Sequence, residues 1–402
     1  MGKYDIVVIG AGISGAVLAE RYASQLNKKV LILEKRNHIA GNCYDYLDEA
    51  GILVPKYGPH FFHTNFEDVW EYVSRYTEWH PYEHRVLSVV NEQGVKVPVP
   101  VNITTVNKLF NLSIQNEEEM KTWLEANVEK IENPQNSEES SLARVGKKLY
   151  ELLFKGYTKK QWDLYPAELD ASVMNRIPVR TNFDDRYFAD KYQAMPKEGY
   201  TKMFEKILNN PNIEVRLETD YLDVVNEIGE YEKLFYTGPI DQFFQYKFGE
   251  RLQYRSLRFE YETLEQAQFQ EMAQENYPNH MPFTRITEPK ISTGQQHEKT
   301  TIIREYSTWE GDPYYPVPNP RNQEIYAKYQ AEAAKLEEQG IYFVGRLANY
   351  KYFNMDQAFK NALDLFAKLE ILNVYAEQIT ISNNFSPSLS NGAISGAVPK
   401  VN

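Results

Sequence analysis

An apolar run, Tyr4-Asp-Ile-Val-Val-Ile9, passes without a break into Gly10-Ala-Gly12-Ile13-Ser14-Gly15, and a second apolar run, Val30-Leu-Ile-Leu33, ends on the acidic Glu34. No other stretch of the chain limits the fold so tightly. In a strand-turn-helix of this kind the first glycine permits the tight turn, the second lets backbone N–H groups approach a pyrophosphate, and the third lets the helix pack closely on the strand. The phosphates then lie at the N-terminus of the helix expected over 16–26, beside Ile13 and Ser14. Glu34 stands 24 positions after Gly10, where an acidic side chain accepts hydrogen bonds from a ribose. Strand, glycines, helix and acid together predict an α/β dinucleotide-binding unit.

The chain has 402 residues, too many for one core, and its patterning changes several times. Apolar runs bounded by helical periodicity over 1–80, 195–242 and 322–372 predict a discontinuous Rossmann-like domain. Segment 104–172 reads as a helical domain. Asn116 is its expected N-cap with Glu119 in support, and Leu142, Val145, Leu149, Leu152 and Leu153 form a core stripe at helical spacing. Alternating, aromatic-rich segments over 81–103, 173–194 and 243–321 predict an antiparallel sheet domain, with Pro98 and Pro100 marking edge strands. Residues 373–402 turn to Ser, Asn, Gly and Pro and are expected to form a C-terminal extension, mobile at its end.

The formal net charge of −12 and the lack of a basic stripe argue against nucleic acid as a partner. An anionic ligand would need arginines gathered at one cleft. Cys43 is the single cysteine, so no intramolecular disulfide framework exists. No apolar stretch reaches the length of a membrane span, and the N-terminus leads into a strand instead of a signal sequence, so a cytoplasmic location is expected. No metal site is expected, since His60 and His63 have no third ligand nearby.

Downstream of Glu34 the chain carries Lys35-Arg-Asn-His-Ile-Ala-Gly41-Asn42, then Tyr57-Gly-Pro-His60-Phe61-Phe-His63-Thr64. Further motifs follow in order: Gly156-Tyr-Thr158-Lys-Lys-Gln-Trp162, Arg176-Ile-Pro-Val-Arg180, Asp184-Asp-Arg-Tyr187-Phe188, Tyr254-Arg255, Phe283-Thr-Arg285, Pro313-Tyr-Tyr315-Pro, and Gly345-Arg346 through Met355-Asp356. In this order they resemble the UDP-galactopyranose mutases, over about 4–369. The resemblance implies FAD, active when reduced, and UDP-galactose or an N-acetylated or other derivative as substrate. It also implies a redox-neutral exchange of pyranose and furanose in which N5 of the flavin attacks the anomeric carbon, giving a covalent adduct. A reductant such as a reduced nicotinamide cofactor would prepare the flavin, and a homodimer is left open.

Residue roles are carried over from the same resemblance. Gly10, Gly12, Ile13, Ser14, Gly15, Glu34, Lys35, Asn42, His60, Phe61, Arg346, Met355, Asp356 and Gln357 would hold the flavin. Arg176 and Arg285 would grip the diphosphate and stabilise the leaving phosphate, with His63 tuning or protonating intermediates. Thr158, Trp162, Tyr187, Phe188, Arg255, Asn276, Tyr315, Tyr352 and His84 would contact substrate, Tyr187 and Phe188 as the uridine slot. Asn354 departs from the family, which often has an acidic residue there. Two other readings stay open. An FAD oxidase of the amine-oxidase type shares the fingerprint but carries Gly-Gly-Arg where this chain has Gly41-Asn42-Cys43, and a Rab-escort-like binding protein would lack flavin altogether.

Overall fold

The structure is a computed structural model that describes residues 3–175 and 177–384, the side chains of 372–384 excepted. The two apolar runs of the opening become strands Ile6–Ile9 and Val30–Leu33, every residue of both buried. They lie inside a five-stranded, wholly parallel sheet in the order Ile213–Arg216, Val30–Leu33, Ile6–Ile9, Lys233–Tyr236, Ile341–Phe343. A parallel sheet is covered on both faces, which is why its strands read as unbroken apolar runs. One face carries Tyr22, Phe204, Phe235 and Phe359, the other Val7, Leu31, Leu234 and Tyr236. Helix Ile13–Leu26 follows the first strand, and helix Met355–Asn384 packs beside it. That last helix runs past the point near 369 where its periodicity fades in the sequence.

A second sheet has seven strands, in the order Tyr315–Pro316, Tyr254–Leu264, Thr300–Thr308, Arg285–Thr287, Gln274–Asn276, Val86–Val89, Lys96–Val99. Pro98 falls on its edge strand, where a missing N–H costs no ladder bond. The expectation of a purely antiparallel sheet needs one correction: Gln274–Asn276 pairs with Val86–Val89 in parallel. These two strands are joined through the whole helical region, and a long crossover permits the parallel sense that a hairpin forbids. A three-stranded antiparallel sheet, Phe62–Thr64, Tyr192–Pro196 and Trp79–Pro81, is a third layer.

The helical region comprises Ile103–Phe110, Glu117–Asn127, Ser137–Leu149, a π-helical turn Tyr150–Lys155, and Gly156–Trp162. Asn116 caps its helix as expected, its side chain accepting from the Glu119 amide. The leucine stripe is core, with Val145, Leu149 and Leu153 buried. It is not one straight helix, however. Gly146 adopts φ 76°, and a Cβ there would collide with the Asn127 carbonyl, so the chain bends at the one residue able to do so. No helix among the described residues is long and apolar enough to cross a membrane.

Candidate functional site

The turn after the first strand shows why three glycines are required. Gly10 takes φ 102°, and a Cβ there would overlap Thr237 Oγ1. A Cβ on Gly15 would overlap the Gly10 carbonyl, which fixes how closely helix Ile13–Leu26 approaches the strand. Across the turn, a Cβ on Gly41 would come within 2.9 Å of Gly12 Cα, so two backbones meet without side chains between them. Gly12 starts the helix with no side-chain cap, leaving its first amides for a ligand. Glu34 is buried. Its Oε2 accepts from the Ala11 amide at 2.8 Å and its Oε1 from the Arg36 amide at 2.9 Å, and each oxygen keeps a lone pair for a ribose hydroxyl.

These groups line a groove of about 220 Å³ that also includes Ile13, Ser14, Lys35, Asn42, His60, Arg346 and Met355. Its outer wall was not foreseen. Arg36 bonds Asp312 at 2.7 Å and Asn42 at 2.9 Å and stacks over the Tyr57 ring at 4.2 Å, tying the loop after the second strand to the segment that carries Tyr314. Those donors, the uncapped helix start, the glycine contact and the buried acid fit the pyrophosphate and ribose of a dinucleotide.

A larger cavity of about 610 Å³ adjoins the groove and shares Asn42, His60, Tyr314, Arg346, Asn354 and Met355 with it. Its walls come from every layer of the molecule: His63 and Phe61 from the small sheet region, Trp162 from the helical region, and Asn276, Arg285, Glu305 and Tyr315 from the large sheet. Asp356 and Gln357, expected at the flavin, face this second cavity, as does Phe61. Arg285 donates to Glu305 at 2.7 Å while its Nε finds no partner. Arg346 reaches the carbonyls of Phe353 at 2.5 Å and Tyr314 at 3.4 Å and lies 5.6 and 5.4 Å from the Tyr315 and Tyr352 rings. Those rings are stacked at 5.4 Å, with Trp162 6.4 Å from Tyr315.

The histidines differ from one another. His63 bonds Asp190 at 2.9 Å and stacks on Phe188 at 3.6 Å, so one face of the expected uridine slot is already covered. Tyr187 meets Phe188 edge-on at 5.0 Å. His84 stacks on Phe61 at 3.7 Å, and burial holds its pKa well below the imidazole range, helped by the charge of Arg285. Burial, with Arg346 beside it, pushes His60 down to about 4. Both rings are therefore neutral near pH 7. Burial also raises the Asp356 carboxyl, whose Oδ1 lacks a partner.

Two expected substrate contacts stand away from this cavity. Thr158 is buried on another side of its helix, and Arg255 is 2% exposed, its Nε donating to the Gln161 carbonyl at 3.0 Å and its guanidinium 4.3 Å from the Trp309 ring. Gly15 packs the helix and lines no part of the groove. Arg176 lies outside the described residues, although Asn175 and Ile177 on either side of it line the cavity. Glu305, Asp190 and Gln161 were missed. Glu305 follows Arg304 in a strand of mixed composition and carries no local signal of its own; its pairing with Arg285 follows only from strand register.

Comparison with known proteins agrees with this geometry. Residues 152–352 match the family model described as UDP-galactopyranose mutase, and 8–76 match that of the NAD(P)-binding Rossmann-like domain. The chain is 42% identical over 369 residues to a probable UDP-galactopyranose mutase of Klebsiella pneumoniae, spanning 90% of this chain and 94% of that one. It is 41% identical over 378 residues to dTDP-fucopyranose mutase of Escherichia coli, covering 92% and 98%. A crystal structure of reduced UDP-galactopyranose mutase shares the fold with a TM-score of 0.74 at 17% identity, over 92% of this chain and 96% of that one.

Proposed function

From the premise that this chain belongs to the UDP-galactopyranose mutase family, we propose that it binds FAD and interconverts the pyranose and furanose forms of UDP-galactose or a close derivative. The observation that carries this reading is the pair of adjoining cavities: a dinucleotide groove opens, through a shared wall at Arg346 and Met355, into a chamber with Arg285, Tyr315 and Tyr352. Bound and reduced, the flavin supplies N5 as nucleophile towards the anomeric carbon, in the manner of covalent catalysis.

The residues of the chain do the rest. Arg285 offers its unpartnered Nε–H to a phosphate oxygen and stabilises the charge that grows on departing UDP. Arg176 is assigned the same task from its motif alone. Tyr315 and Tyr352 present phenols to the diphosphate, with Arg346 against both rings. His60 and His84, neutral, can donate or accept without adding charge. The chamber's aromatic walls exclude water and so strengthen these interactions. A reduced nicotinamide cofactor is the reductant we assign, and the cytoplasm the compartment.

The test is direct. Dithionite-reduced protein incubated with UDP-galactofuranose is expected to yield UDP-galactopyranose by chromatography, while oxidised protein is nearly inactive. Equal turnover by the two redox forms would sink the nucleophilic role of the flavin. A second reading, dTDP-fucopyranose as substrate, is favoured by the near-equal likeness to the Escherichia coli enzyme. The same assay with dTDP-fucopyranose decides it, the higher kcat/KM naming the substrate.

A further inference from the structure

Lys160 stands in helix Gly156–Trp162, half-buried, and forms no ion pair with a carboxylate among the described residues. Its ammonium donates to three carbonyls of one loop: those of Tyr277, of Met281 at 3.0 Å and of Phe283 at 3.1 Å. An ammonium has three donors and no acceptor, so the three carbonyls use it fully. That loop connects strand Gln274–Asn276 to strand Arg285–Thr287, and therefore joins Asn276 to Arg285, both in the wall of the larger cavity. Burial alone pushes the Lys160 pKa down to about 8, the mark of a cation that has exchanged water for carbonyl oxygens without an anion in return.

Independent contacts hold the same two pieces together. A Cβ on Gly156 would come within 2.6 Å of the Pro278 carbonyl and 2.5 Å of Asn279 Oδ1, so the loop lies directly on the helix backbone. Asn279 Nδ2 donates at 3.0 Å to the carbonyl of Leu152, in the π-helical turn. At the other end of the helix, Arg255 and Ser307 both donate to the Gln161 carbonyl, at 3.0 and 2.8 Å, and Trp309 donates to Asp163 at 2.8 Å. The helix that presents Tyr157 and Trp162 to the cavity is thus fastened to the large sheet at both ends.

We propose that Lys160 is a positioning residue: by gathering the 277–283 carbonyls it locks the Arg285 hairpin onto the Trp162 helix and so sets the width of the cavity between them. A loop whose three carbonyls converge on one cation has one shape. Without the cation those carbonyls turn to water, and Arg285 is carried with them. The proposal rests on the nucleotide reading above only for its second readout.

The first readout needs no ligand. In Lys160→Met, amide hydrogen exchange of a peptide spanning 277–285 is expected to quicken by about tenfold or more, while 300–308 exchanges as in the parent protein. The second is UDP affinity. Lys160→Met is expected to raise the Kd for UDP about tenfold, and Arg285→Ala to cost less in the Lys160→Met protein than in the parent, because the arginine is already misplaced. Unchanged exchange in 277–285 overturns the clamp, and strictly additive effects of the two substitutions overturn the positioning role. If Lys160→Met fails to fold, Lys160→Gln, which keeps a single amide donor in the cage, is read in the same way. A parent protein that binds no UDP refutes the proposed function, and the exchange experiment then decides the clamp by itself.

Discussion

Arg285 and Glu305 sit opposite each other in register on neighbouring strands, and the Glu305 side chain is 2% exposed. Removing the arginine therefore does two things. It deletes a preorganised donor, expected to lower kcat/KM by about 10²–10³-fold, and it strands a buried carboxylate, a loss that reaches about 3–5 kcal/mol when a buried pair is broken. Arg285→Ala should show both a lower Tm and lost turnover. The double variant Arg285→Ala/Glu305→Gln should recover Tm but not activity, and recovery of both would return Arg285 to a purely structural role. His60 supports a pH prediction. Its folded pKa of about 4 is below the usual imidazole value, so the neutral ring stabilises the fold above about pH 6.5 and that contribution is lost as pH falls towards 4. Thermal melts of His60→Gln against the parent between those pH values should converge on acidification, and a constant gap would show that the ring titrates normally.

At the scale of elements, the first strand, its glycine turn and helix Ile13–Leu26 behave as one unit. Gly15→Ala places a methyl against the Gly10 carbonyl, a backbone atom that cannot rotate away, so the helix must retreat from the strand. The expected result is colourless protein with a lowered Tm, and yellow protein with parent-like stability would contradict the packing role. The segment after the Trp162 helix is held differently. Among the described residues, 163–191 contributes no strand to a sheet; its ladder pairing is limited to two isolated bridges, Val101 with Val179 and Arg85 with Arg186, and Tyr165 and Phe183 are more than half exposed. Saturating UDP is expected to slow hydrogen exchange in a 163–188 peptide while leaving 156–162 unchanged. No protection there would mean a preformed cleft.

Over the whole molecule the charge is −12, yet the larger cavity has Arg285 and Arg346 in its wall, with Glu305 paired to Arg285 and Asp190 to His63. A dianionic nucleotide is attracted locally and repelled globally. Added salt screens the partly exposed approach more than the buried contact, so raising ionic strength from about 0.05 to 0.5 M is expected to weaken UDP binding by a few-fold and no more. A steeper fall would place the phosphate contacts in open solvent.

The Rossmann start and the helical region were legible in the chain, because turn glycines, buried parallel strands and helical periodicity are set by local backbone and burial requirements. Asn116 was readable as a cap for the same reason. The cavity residues named from the sequence, by contrast, came from the resemblance of short motifs and cover only part of the lining of the larger cavity. What remained hidden depended on register and on contacts between layers. Glu305 faces Arg285 only because two strands pair as they do, Arg255 stands away from the cavity where strand Tyr254–Leu264 meets helix Gly156–Trp162, and the Arg36–Asp312 tie joins residues 276 positions apart in the chain. Local sequence fixes which conformation a segment prefers and which residues it offers. Only the packing of distant segments, where burial and pairing are decided together, sets which of those residues meet.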